Sequence, residues 1–134
     1  MIGAVVVTHG TLSKSLVEAA GAITGAAGGI MTVSVSKADT TESIRADIGA
    51  RVKEADSGKG VIIFTDMFGG TPTNVALSFL KEGSVEILTG VNLPLLIKFI
   101  GHRSDKALSE LTLILKDYGQ KSIVLAGDML KEKG

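Results

Sequence analysis

Five short runs rich in β-branched residues punctuate the chain, at residues 2–8, 30–36, 60–65, 85–89 and 122–126. The first and third carry nearly unbroken hydrophobic stretches, Val5-Val6-Val7 and Val61-Ile62-Ile63-Phe64. Runs of that kind suit strands covered on both faces, as in a parallel sheet. Between the runs the apolar period changes to that of a helix. Leu12, Leu16, Ala20 and Ile23 share one face, and Gly25 follows as a stop. Ile44, Ile48, Val52 and Ala55 form a second face, with Asp39 and Glu42 spaced as a capping box. A third helix is expected to open at Pro72 and to bury Val75 and Phe79. A fourth is expected over residues 93–100, ending at Gly101. A fifth should begin near Ser104 or Asp105, bury Leu108, Leu111 and Leu115, and end at Gly119.

The order β-α-β-α-β-α-β-α-α-β predicts a single doubly wound α/β domain over residues 1–134 with right-handed crossovers. The expected sheet is mainly parallel, in the order 2-1-3-4 with an added edge strand. Two helices precede the last run, so residues 122–126 are expected to return antiparallel at an edge, a natural surface for dimerisation. The charged tail, residues 131–134, is expected to fray.

Composition narrows the chemistry. The 134 residues hold 14 basic and 14 acidic side chains, so no basic excess points to nucleic acid. The absence of cysteine removes disulfides, thiolate metal sites and cysteine nucleophiles. No apolar run approaches the ~20 residues of a membrane span, and the N-terminal run lacks the flanks of a signal peptide. A cytoplasmic chain is the expectation. Glycine is in excess, 17 residues, with only 2 prolines.

In a sheet of this kind ligands bind beyond the carboxyl ends of the strands, at the switch in strand order. Strand 1 ends in Thr8-His9-Gly10-Thr11 and strand 3 in Thr65-Asp66-Met67-Phe68-Gly69-Gly70-Thr71-Pro72. In a 2-1-3-4 order these ends face each other, so His9 and Asp66 should meet. A carboxylate on one ring nitrogen fixes the imidazole tautomer and leaves the other nitrogen basic. Gly10-Thr11 and Gly69-Gly70-Thr71 lead into helices whose N-termini attract anions. Neither turn carries a lysine or arginine. Asn92 and Pro94 are expected to cap the fourth helix and line the pocket, and His102 to lie on the surface. Other chemistries lack their parts. There is no G-x-x-x-x-G-K-[ST], no G-x-G-x-x-G after strand 1, no G-x-S-x-G, and no acidic Mg²⁺ ligands after strand 1. One histidine and one aspartate are too few for zinc, so neither metal nor cofactor is expected.

Thr8-His9-Gly10, the run Asp66-Met67-Phe68-Gly69-Gly70-Thr71-Pro72-Thr73-Asn74 and Gly90-Val91-Asn92-Leu93-Pro94 together resemble the IIA component of the mannose-type (mannose/fructose/sorbose) phosphotransferase system, over essentially the whole chain. The resemblance implies a phosphocarrier. His9 would take a phosphoryl group from phospho-HPr and pass it to a histidine of the IIB component for sugar uptake, with Asp66 orienting it. Gly10, Thr11, Phe68, Gly69, Gly70 and Thr71 would cradle the phosphate and form the docking surface. It implies a homodimer that exchanges its last strand and membrane contact only through IIC and IID subunits; many members continue into a IIB domain, and because this sequence stops, IIB is expected as a separate protein. Lys37-Ala38-Asp39 departs from the glycine-containing turn often found after strand 2 in that family. Two further readings share the histidine: the phosphocarrier subunit of the dihydroxyacetone kinase system, and a regulatory module that signals through the phosphohistidine.

Overall fold

A computed structural model describes residues 1–133. The elements follow the order β1 (Gly3–His9), α1 (Leu12–Thr24), β2 (Met31–Val35), α2 (Thr41–Ala55), β3 (Val61–Thr65), α3 (Thr71–Ala76), a 3-10 turn (Leu77–Phe79), β4 (Val85–Thr89), α4 (Leu93–His102), α5 (Leu108–Lys121) and α6 (Ala126–Lys133). The four strands are all parallel, in the order β2-β1-β3-β4. The expected α/β architecture is therefore present, with β1 and β3 at its centre.

The two central strands are buried on both faces, which explains their unbroken apolar runs. Val6, Ile62 and Phe64 face one core layer with Leu96, Phe99 and Leu111. Phe64 and Phe99 meet edge to face at 5.4 Å. Val5, Val7, Val61 and Ile63 face the other layer, against Ile44, Ile48 and Val75. Helices on both faces thus leave the strand ends open to a ligand.

Several boundaries differ from those read in the sequence. The segment 122–126 forms no strand: it is irregular up to Leu125, and α6 begins at Ala126. Ile123, Val124 and Leu125 stand exposed, so no edge within the described chain takes their backbone. Gly25 does end α1, in the left-handed conformation (φ 70°). Gly101 and Gly119 do not end their helices, because α4 and α5 continue through them. At Gly119 a Cβ would approach Leu95 Cδ1 to 2.8 Å, so this glycine lets two helices close on each other. Helix α5 starts at Leu108, several residues beyond Ser104. The capping box of α2 joins Thr40 and Ser43, not Asp39 and Glu42. Of the tail, residues up to Lys133 extend α6, and Gly134 lies outside the described residues.

Candidate functional site

The carboxyl ends of β1 and β3 bring His9 and Asp66 together. Val7 and Thr65 are partners in the β1–β3 ladder, so His9 and Asp66 sit just beyond the paired region. Asp66 Oδ2 accepts the His9 backbone N–H at 2.9 Å and lies 2.7 Å from His9 Nδ1. Asp66 Oδ1 accepts the Met67 N–H at 2.9 Å. Burial would push the Asp66 carboxyl up, but the hydrogen bonds and charge of His9 and the Met67 N–H outweigh it and hold it below its ordinary value. An ionised carboxylate can only accept, so in the neutral imidazole Nδ1 carries the proton and Nε2 the lone pair. The imidazole is half exposed (52%), whereas Asp66 is largely covered (12%). The ring is thus accessible and held from beneath.

The three glycines serve different ends. A Cβ on Gly70 would fall 2.9 Å from His9 Cε1 and 3.5 Å from Nε2, so only glycine lets the imidazole lie over the start of α3. Gly10 (φ 54°) and Gly69 (φ 91°) would meet nothing with a Cβ; their left-handed backbone is what requires glycine. Neither α1 nor α3 has a side-chain cap at its N-cap residue, Thr11 or Gly70. Asn92 does cap α4, accepting the Leu95 N–H at 2.9 Å, with Pro94 in the first turn.

Three buried threonines, Thr8, Thr65 and Thr73, anchor the turns, a role not assigned to them from the sequence. Thr8 Oγ1 accepts the Ser13 N–H at 2.8 Å, tying the start of α1 to the end of β1. Thr65 and Thr73 hydroxyls lie 2.6 Å apart, and Thr73 Oγ1 donates to the Met67 carbonyl. Thr73 has one hydroxyl proton, so Thr65 donates to Thr73. The signal available was a hydroxyl residue closing each buried strand directly before the chemistry-bearing residue.

Of the residues read as cradling phosphate, Gly10 and Thr71 share a groove with His9, and Gly70 underlies it. Thr11 is exposed at the N-cap of α1, and Gly69 forms the tip of its turn. Phe68 is not among the residues lining the His9 groove. It is 74% exposed and lines a second, apolar groove with Leu77, Leu80, Ile87 and Ile123 beside β4. Asn92 lines that second groove as well. His102 is partly covered, with Nδ1 3.7 Å from Asp105 and no hydrogen-bond partner. The His9 groove has a third wall, from the turn after β2: Ser36, Lys37 and Asp39. It brings a cation to a site whose own two turns have none. Among the described residues no group of three or more potential metal ligands occurs, and no helix is long and apolar enough to cross a membrane.

Comparison with known proteins identifies the family and the fold. The family model for the PTS system fructose IIA component matches residues 3–114. The chain belongs to this family. It is 29% identical to the fructose-specific EIIA component of Bacillus subtilis, over 98% of this chain and 91% of that protein. It is 25% identical to the mannose-specific EIIAB component of Escherichia coli, over 91% of this chain but only 38% of that longer protein. Among solved structures, the IIA protein associated with the fucose utilization operon of Streptococcus pneumoniae superposes with a TM-score of 0.85 at 30% identity, covering 96% of this chain and 95% of that one. The chain is accordingly a IIA-type component of a sugar phosphotransferase system.

Proposed function

We propose that this protein is a phosphocarrier that accepts a phosphoryl group from phospho-HPr on His9 Nε2 and passes it to the IIB component. The observation that carries the reading is the 2.7 Å pairing of His9 Nδ1 with Asp66 Oδ2, which leaves Nε2 as the free nucleophile above Gly70. In the transfer, the Nε2 lone pair forms a bond to phosphorus while the donor's phosphorus–nitrogen bond breaks. That electron pair returns to the donor imidazole. The Nδ1 proton stays on His9, and the positive charge that develops on the ring is offset by ionised Asp66. The second transfer runs the same steps outward to the IIB histidine. The protein's contribution is position and fixed dipoles, with no metal in the scheme. Gly10, Thr11, Gly69, Gly70 and Thr71 supply the close backbone approach at two helix starts. Phe68 and the apolar groove it borders serve protein docking.

The exposed segment Ile123-Val124-Leu125 and the uncovered edge of β4 belong together in the proposed homodimer, in which each chain lends this segment to the other's sheet. In this reading the protein works in the cytoplasm and meets the membrane only through IIC and IID subunits. With purified enzyme I and HPr, the wild-type chain takes up one phosphoryl group and His9→Ala takes up none. Stoichiometric labelling of His9→Ala overturns the assignment.

A further inference from the structure

We propose that Lys37 is a positioning residue for the phosphoryl group carried on His9, a cation supplied from outside the two glycine turns. The inference rests on His9 being the phosphoryl acceptor. It starts from the register of the sheet: His9 pairs with Val35 in the β1–β2 ladder, and the Gly10 N–H donates to the Val35 carbonyl at 2.9 Å. The two residues beyond Val35 therefore stand beside the two beyond His9. There the chain turns tightly. The Asp39 carboxylate accepts the Ser36 N–H at 2.7 Å and the Ser36 hydroxyl at 3.2 Å, and the Asp39 N–H returns to the Ser36 carbonyl at 3.1 Å. This closes a turn with Lys37 and Ala38 at its tip. Lys37 lines the same groove as His9, Gly10 and Thr71.

What separates Lys37 from the other lysines is its place, in the wall of the groove that holds His9. Among the described residues no carboxylate lies within ion-pair distance of it. The one acid in the groove, Asp39, has the oxygen nearest the turn engaged by Ser36. The groove therefore holds, on the flank of His9, a cation that forms no ion pair. On the other flank lies the ionised carboxylate of Asp66. Phosphorylation adds about two negative charges next to that carboxylate. The dipoles of the helix starts offset part of this, and a flexible ammonium at the groove wall offsets more in the phosphorylated state alone. Lysine suits the role, because a mobile point charge can approach the phosphoryl oxygens and withdraw when the group leaves.

The test is the equilibrium between phospho-HPr and His9, measured by the phosphohistidine signals in ³¹P spectra of the mixed proteins at two ionic strengths. Lys37→Gln should shift it toward phospho-HPr by about three- to tenfold, the range set by one partly screened charge pair. The shift should shrink at high salt, and Lys37→Arg should restore most of the wild-type position. A residue that only steers the donor would change the rates in both directions and leave the equilibrium unmoved. An unchanged equilibrium in Lys37→Gln, with His9 phosphorylated as in wild type, overturns the role of Lys37 alone. No label on the wild-type chain overturns the phosphocarrier reading and this inference together.

Discussion

At the residue scale the site depends on one hydrogen bond and one missing methyl group. Asp66 fixes the His9 tautomer, and Gly70 leaves room for the ring. In Gly70→Ala the added Cβ would press on His9 Cε1, but the ring is half exposed and can swing away. The variant is therefore expected to melt within a few degrees of wild type while accepting phosphate at least tenfold more slowly. Calorimetry and a transfer assay check the two halves separately. The Asp66 carboxyl is held below its ordinary value of 3.8, so its contribution to stability is fully present above that pH. It is lost as pH falls through the lower folded value. Between neutral pH and about pH 4 this group is expected to add no pH dependence to folding, with the loss confined to more acid solution. Comparing acid unfolding of wild type and Asp66→Asn measures it: a shallower acid loss is expected in the variant, and parallel curves would contradict the assigned bonds.

At the scale of elements, two strand ends and two helix starts are joined by hydroxyl groups. The chain Thr65–Thr73–Met67 runs from β3 through α3 to the loop that carries Asp66. Thr73→Val keeps the volume but strands the buried Thr65 hydroxyl and the Met67 carbonyl. It should cost about 1–3 kcal/mol, read from denaturant midpoints, and loosen the turn enough to slow transfer. Much of this layout was legible beforehand. The Val5-Val6-Val7 and Val61-Ile62-Ile63-Phe64 runs announced buried central strands, and in such a sheet the residues after them had to converge. Element ends were less legible. Gly101 and Gly119 looked like stops, yet at Gly119 the glycine answers to Leu95 on a neighbouring helix, a partner that no local pattern reveals. The capping box moved by one residue, to Thr40 and Ser43, because Asp39 is occupied by the Ser36 turn.

At the scale of the whole molecule, the sheet is covered on its faces and left open along β4. The apolar groove there, bordered by Phe68, Leu77, Leu80 and Ile123, adjoins a C-terminal segment that exposes Ile123, Val124 and Leu125. A chain with both an open edge and an unsatisfied β-branched segment is expected to pair with a second copy. Sedimentation should give a species near twice the 13.8 kDa chain mass, and Val124→Lys should shift it toward the monomer. A monomeric wild type at micromolar concentration would remove the exchanged-strand arrangement.

Sequence alone determined the four parallel strands, their order, and the meeting of His9 with Asp66. Strand burial is written in unbroken apolar runs, and the parallel crossover rule then leaves few ways to arrange them. Tertiary structure alone decided which glycine answers to the ring and which to backbone conformation, since both requirements look the same in a string of letters. It also decided that Phe68 lines the groove beside β4 and that Lys37 lines the groove of His9. Those placements depend on how three loops from different strands fold against one another, and no spacing within a single loop encodes them.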